Sequence, residues 1–291
     1  AAAVEEVWTT LKVLDWTAGR FARAGMASPR LDAQVLLAHA LHTDRVGLYT
    51  HFDKPLAGDE LSACRKLIQR RLAGEPVAYL TGQKEVWSVA LAVDARVLVP
   101  RPDTETLIEV VLDRVKARAA DVAMTLADIG TGSGAIAVVL ARELSGARII
   151  ATDVSEDALA VARDNIARHG VGDRVTAMAG DLLEPLTEPV DVIVANLPYI
   201  PSADIDALAP EVRCEPRLAL DGGADGLDLI RRLIATAADK LLPGGFIALE
   251  HGADQAEKLA ALIAATDGLS LTDTRADLAG NPRVTVADRH G

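Results

Sequence analysis

Cysteine and aromatic residues are scarce in this sequence: only Cys64 and Cys214 among 291 residues, and 3% Phe, Trp and Tyr. Two thiols exclude a disulfide framework and an all-cysteine metal site, and they point to a reduced, cytoplasmic chain. Long apolar runs are missing too. No stretch approaches the ~18 residues of a membrane span. The opening Ala1-Ala2-Ala3-Val4-Glu5-Glu6 is acidic where a secretory signal is basic. No membrane partner is therefore expected. Positive charge is in deficit, with 30 Lys and Arg against 42 Asp and Glu, a net charge of −12. Residues 1–72 carry 10 basic and 8 acidic side chains, net +2, whereas residues 73–291 carry 20 and 34, net −14. A protein that grips duplex or ribosomal RNA needs a basic stripe against the phosphates, so no direct nucleic-acid contact is expected of the larger part.

What is present is a globular composition, 50% apolar and 25% charged, at a length where one core gives way to two units. Residues 1–72 read as a small helical domain. Val4, Val7, Trp8, Leu11 and Leu14 recur at helical spacing. Ser28-Pro29 predicts a helix start opening Leu31–Leu41, and Asp59-Glu60 begins a further helix that ends at Gly74. The basic cluster Arg65, Lys66, Arg70 and Arg71 in that helix reads as a solvated face. Residues 73–100 read as a β-hairpin connector, with short strands on either side of Asp94-Ala95-Arg96. From Arg101 to the end, strands and helices alternate. Strands are predicted at 124–129, 147–152, 174–178, 190–195, 245–250, 269–274 and 283–288. Helices are predicted at about 104–118, 134–144, 155–168, 225–240 and 254–265. Such alternation predicts an α/β fold with a mostly parallel sheet, and the final pair without an intervening helix predicts an antiparallel edge.

Two loops carry chemistry. Asp128-Ile129-Gly130-Thr131-Gly132-Ser133-Gly134-Ala135 stands where a strand becomes a helix, and glycines there bring a ligand close to the helix N-terminus. The next strand ends in Asp153, a carboxylate placed to accept both hydroxyls of a ribose. Gly130-x-Gly132-x-x-Ala135 also fits a dinucleotide fingerprint. The preceding Asp128 fits better a loop facing the cationic part of S-adenosylmethionine. Asp181 is expected to accept from an adenine amino group, with Leu182 offering backbone and an apolar edge.

The second loop is Asn196-Leu197-Pro198-Tyr199, directly after the buried strand Asp191–Ala195. An amide or exocyclic amine nitrogen is a weak nucleophile because its lone pair is delocalised. Holding both of its hydrogens with acceptors exposes the lone pair to a methyl donor. The Asn196 side-chain oxygen and the Leu197 carbonyl are such acceptors. Pro198 stiffens the loop, and Tyr199 offers a flat face to a planar group. This is catalysis by positioning and electrostatics, and it calls for no metal.

The loop resembles the (Asn/Asp)-Pro-Pro-Tyr motif of methyltransferases acting on planar nitrogens. Further stretches narrow the likeness: Arg101-Pro102-Asp103-Thr104-Glu105, Glu215–Gly226 (EPRLALDGGADG) and Leu249-Glu250-His251-Gly252. With the helical N-terminal part, the whole chain resembles the protein-(glutamine-N5) methyltransferases of peptide chain release factors, the PrmC/HemK type. The resemblance implies a seven-stranded, Rossmann-like S-adenosylmethionine-dependent methyltransferase domain over 101–291 and a helical domain over 1–72 that docks a class 1 release factor. It implies methyl transfer to the glutamine of a Gly-Gly-Gln motif. Carried over, cofactor contacts fall on Gly130, Thr131, Gly132, Ser133, Gly134, Asp153, Leu182 and Asn196, and substrate contacts on Asn196 to Tyr199. Glu105 is placed near the methionine end of the cofactor, or else serves as a helix-start acid. One departure stands out: position 197 is leucine, and Asn-Leu-Pro-Tyr is also how the motif reads in ribosomal RNA adenine dimethylases. An adenine-N6 methyltransferase of RNA or DNA is thus the first rival reading. A nicotinamide-dependent oxidoreductase and a non-catalytic cofactor-binding module are the others. The two cysteines and His251 are expected to be structural.

Overall fold

The computed structural model describes residues 7–118 and 123–290; Val4 of the first helical pattern lies outside them. Along the chain come α1 (Thr10–Arg23), α2 (Pro29–Ala40), α3 (Arg45–Thr50), α4 (Gly58–Leu72) and α5 (Val77–Thr81). A hairpin of β1 (Gln83–Val86) and β2 (Val89–Ala92) leads to α6 (Asp103–Lys116), β3 (Thr125–Ile129), α7 (Ala135–Glu143) and β4 (Arg148–Asp153). Then follow α8 (Glu156–Arg168), β5 (Val175–Ala179), β6 (Val190–Ala195) and the single turn α9 (Pro210–Arg213). The chain closes with α10 (Asp228–Lys240), β7 (Leu241–Glu250), α11 (Ala256–Ala264), β8 (Leu269–Ala276) and β9 (Pro282–Arg289). Among the described residues no helix is long and apolar enough to cross a membrane.

Two compact units result. The first takes residues 1–82 together with 209–214, and the second takes 83–208 and 215–291. In the helical unit, Leu14, Phe21, Leu36, Leu37, Cys64 and Ile68 form the core. Pro29 opens α2 as predicted, but Ser28 makes no side-chain cap. Thr9 caps α1 by accepting from the Lys12 N–H. Arg71 departs from the expected solvated face. It is buried and ion-paired with Asp32 and Glu211, the latter on α9, while Arg70 pairs with Glu75 at the surface. Cys64 is buried, and burial pushes its thiol up to about 11. Cys214 is exposed rather than packed.

In the second unit the described residues form a seven-stranded sheet ordered β5-β4-β3-β6-β7-β9-β8. Its first five strands are parallel and β9 is antiparallel to both β7 and β8. Strand alternation sends Leu126, Val192 and Val194 to one face, against Leu107, Ile108, Val138 and Leu140 of α6 and α7. It sends Ala127, Ile129, Ile193 and Ala195 to the other, against Ile230, Leu233, Leu259 and Ile263 of α10 and α11. Each of these fully buried Leu, Ile and Val side chains contributes roughly 1.5–3 kcal/mol of burial.

The expected hairpin exists, but it turns elsewhere. Strands β1 and β2 pair around Trp87 and Ser88, at φ 53° and 57°, while Val97–Val99 lie in irregular chain. Two positive φ values in a two-residue turn match the twist of the strands. The Trp87 N–H donates to Glu105 Oε1 at 2.8 Å, which ties this turn to the start of α6.

Candidate active site

Because the chain runs outward from β3 to β4 and β5 and then returns to β6, a crevice opens at the carboxyl ends of β3, β4 and β6. A cavity of about 330 Å³ fills it. Gly130, Gly132 and Gly134 all have positive φ, between 54° and 79°. The loop is fastened to the neighbouring strand by Gly130 and Thr131, whose N–H groups both donate to the Thr152 carbonyl at 2.9 Å. Gly130, Thr131, Gly132 and Ser133 line the cavity; Gly134 sits behind it, against Ala162 of α8.

Asp128 is fully buried beneath this loop and does not face the cavity. Its Oδ2 accepts from the Thr131 hydroxyl at 2.6 Å and from the Ala137 N–H at 3.1 Å, while Oδ1 has no partner among the described residues. Burial pushes the carboxyl up to about 7. Asp153 lines the cavity and buttresses the loop at once. Its Oδ2 accepts from the Gly132 N–H and its Oδ1 from the Ser155 N–H, both at 2.9 Å. These bonds, with the Val154 N–H also acting on the carboxylate, take up part of its acceptor capacity and leave the rest for a ligand. Burial raises its pKa, offset by these backbone N–H groups.

Asp181 and Leu182 line the same cavity with modified roles. Asp181 Oδ2 is paired to Arg232, itself on the cavity wall, so only Oδ1 is open to an amino group. Leu182 adopts φ 49° and its carbonyl accepts from the Thr152 hydroxyl at 3.1 Å.

Asn196, Leu197 and Pro198 line the cavity, and Tyr199 does not. The Tyr199 ring packs against the core beside β6 and β7, and its hydroxyl points at Glu250 Oε1 over a long 3.5 Å. Burial and the Glu250 charge push that phenol up to about 12. Asn196 Nδ2 donates to Thr104 Oγ1 at 3.2 Å, and the Thr104 hydroxyl donates to Glu250 Oε2 at 3.1 Å. No described residue bonds Asn196 Oδ1.

Residues distant in sequence hold the chain beside the cavity and the loop itself. Glu215, buried, accepts from the Val99 N–H at 2.9 Å and from Arg101 Nη2 at 2.5 Å. Gln255 Nε2 donates to the Tyr199 carbonyl at 2.9 Å. Gly226 passes so close that a Cβ there would stand 2.3 Å from that same oxygen. His251 is structural as expected: fully buried, it contacts Thr285 Oγ1 and the Gly252 carbonyl, and burial lowers its pKa.

Thr104 went unnoticed in the sequence. Of the two roles offered for Glu105, the structure matches the helix-start acid, in the first turn of α6, and does not place it on the cavity wall. Thr104 is buried on the cavity wall, while Glu105 is exposed and holds the hairpin turn. The wall supplied by Val97, Leu98, Pro100 and Ala219 also went unnoticed.

The chain matches the PrmC N-terminal domain family over residues 12–82 and the Methyltransferase domain family over residues 126–214. A release factor glutamine methyltransferase of Geobacter sulfurreducens is 47% identical, over 90% of this chain and 90% of that protein. One of Moorella thermoacetica is 44% identical, over 93% and 95%. The 16S rRNA N2 G1207 methyltransferase of T. thermophilus, solved with AdoMet and guanosine, shares the fold at a TM-score of 0.51 and 17% identity, over 72% of this chain and 50% of that one. The cofactor is S-adenosylmethionine, and the cavity suits it chemically. Asp153 presents a carboxylate to the cavity for a diol, and apolar walls from Val97, Leu98, Ile136 and Leu182 flank it. Identity across nine-tenths of the length, in both units, makes this chain a member of the release factor glutamine methyltransferase family.

Proposed function

We propose that this chain methylates the side-chain amide nitrogen of the glutamine in the Gly-Gly-Gln motif of class 1 peptide chain release factors, with residues 196–199 as the reactive loop. The observation that carries the assignment to this loop is the Asn196 amide. Its Nδ2 is spent on Thr104, which leaves Oδ1 as an acceptor beside the cavity. Bound S-adenosylmethionine supplies an electrophilic methyl group on a sulfonium. Asn196 Oδ1 and the Leu197 carbonyl accept the two N–H bonds of the substrate amide and turn its lone pair toward the cavity. Leu197, buried, and Pro198 keep water from the reacting nitrogen. Asp153 holds the ribose, the glycine loop lies against the cofactor, and Asp181 Oδ1 with Leu182 frames the adenine. Tyr199 acts through the loop backbone and Glu250 rather than as a cavity wall.

Docking of the release factor is assigned to the helical unit, whose surface exposes Trp16, Tyr49 and Phe52. A release factor substrate places the reaction in the cytoplasm. The deficit of basic charge over residues 73–291 supports a protein rather than a nucleic-acid substrate. One observation favours adenine-N6 methylation: the Asn-Leu-Pro-Tyr wording of the loop. A labelled-methyl transfer assay offering a purified release factor and an adenine-containing RNA side by side separates the two. Label on the release factor is expected, and label on the RNA alone would overturn the assignment.

A further inference from the structure

Asn196 lies at the end of a chain of hydrogen bonds running inward to a buried carboxylate, Asn196–Thr104–Glu250. An asparagine amide has two nearly isosteric ends, one accepting and one donating. Nothing in the shape of Asn196 decides which end faces the cavity, yet only the oxygen can hold an N–H of a substrate amide. The order of donors along the chain decides it. We infer that Glu250 is a positioning residue that, through the Thr104 hydroxyl, fixes the Asn196 amide with Oδ1 toward the substrate. The inference rests on the role assigned to Asn196 above.

An ionised carboxylate only accepts, so the Thr104 proton must point at Glu250 Oε2. The Thr104 oxygen then has only lone pairs left for Asn196, and Nδ2 is drawn to it. When Glu250 carries a proton, it donates to Thr104 and releases the threonine hydrogen toward Asn196. The amide is then stabilised in the opposite sense, with Nδ2 presented to a substrate nitrogen that already carries two hydrogens. The loop loses its acceptor without any backbone change.

The surroundings set this switch near neutrality. Burial raises the Glu250 carboxyl to about 7, with the Asp103 charge on α6 adding to the rise. The Thr104 hydroxyl, Arg283 of β9 and the Tyr199 hydroxyl oppose it. Arg283 is itself shared with Asp103 at 3.1 Å and Asp277 at 3.0 Å, so much of its charge is answered elsewhere. Both ring nitrogens of the neighbouring His251 are engaged elsewhere, with Thr285 Oγ1 and the Gly252 carbonyl.

The test is single-turnover methylation of a purified release factor, at saturating cofactor, as a function of pH. Wild type should lose rate on the acid side with a single inflection at or below about 7. Glu250→Gln, whose amide can present either end to Thr104, should be about 10- to 100-fold slower with that limb gone. Thr104→Val should match it, and Thr104→Ser, which keeps the hydroxyl, should recover most of the loss. Cofactor affinity by calorimetry and thermal melting of each variant check that the site is otherwise intact. Persistence of the acid limb in Glu250→Gln would assign it to Asp128, the other carboxyl raised to about 7, and overturn the inference. Equal rates for Thr104→Val and Thr104→Ser would do the same. A wild type that methylates no release factor would instead sink the functional assignment, a distinct outcome.

Discussion

Leu197 Cδ2 lies 2.8 Å from where a Cβ on Gly130 would stand, so the leucine found at the second motif position closes directly over the first glycine of the nucleotide loop. The two chemical loops are therefore packed as one surface. Gly130 also has φ 70°, a backbone region costing roughly 1–2 kcal/mol for any residue with a Cβ. Gly130→Ala should lower the melting temperature and weaken cofactor binding together. Adding Leu197→Ala should remove the steric part and leave the backbone part, giving partial recovery in calorimetry. Full recovery would mean that backbone strain contributes nothing here.

Leu197→Pro probes the departure from the family motif. The Leu197 N–H makes no hydrogen bond to a described residue, and its φ is not positive, so proline removes no donor that the fold uses. Proline should add roughly 0.4–1 kcal/mol by restricting the unfolded chain, offset by the lost packing of a buried leucine. Melting close to wild type with glutamine methylation retained is the expected result. A normally melting variant without activity would contradict the acceptor role of the 197 carbonyl.

Asp153→Asn should cost cofactor binding about 1.5–3 kcal/mol in calorimetry. An amide has one acceptor oxygen where the carboxylate uses two, against the Gly132 and Ser155 N–H groups. Its NH2 end would confront one of those donors, so the glycine loop should loosen as well. Unchanged affinity would remove Asp153 from the ribose site.

The pH dependence of stability follows from Asp128. Its carboxyl is raised to about 7 in the folded chain, against about 3.9 when unfolded. Between those values the folded state holds the extra proton, so this group's contribution falls as pH rises toward 7 and is fully lost above it. Asp128→Asn keeps an oxygen for Thr131 and Ala137 and cannot ionise. Its melting temperature relative to wild type should therefore climb from pH 5 to about pH 8. A constant difference across that range would show that Asp128 ionises normally. Glu250 contributes a slope of the same sign in both proteins and cancels from the comparison.

Much of the second unit was legible because its strands are short apolar runs between glycines and helix starts, as at Val190–Ala195 beside Asn196. The cavity residues from the glycine loop, Asp153, Asp181 and Leu182 were legible for the same reason, each standing at a strand end. The hairpin turn was not. Trp87 and Ser88 take positive φ without the glycine or asparagine that announces such a turn, and the support comes from Glu105, eighteen residues away. Arg71 was misread because its partner Glu211 lies 140 residues downstream, in a segment that returns to the helical unit. The Thr104 role was hidden likewise. Its buried partner Glu250 is 146 residues distant, and no local pattern distinguishes that pair from a helix-start threonine and a strand-end acid.

Asn196 Oδ1 is the atom assigned to hold the glutamine amide for methylation. The most direct measurement of that role is single-turnover methylation of an intact release factor by wild type and Asn196→Ala, at saturating cofactor, with the product located by peptide mass spectrometry. Wild type should add one methyl to the glutamine of the Gly-Gly-Gln motif. Asn196→Ala should be slower by about 10²–10³, while calorimetric cofactor affinity falls by less than about tenfold. A near-wild-type rate for Asn196→Ala, or a methyl group found on another residue, would contradict the account.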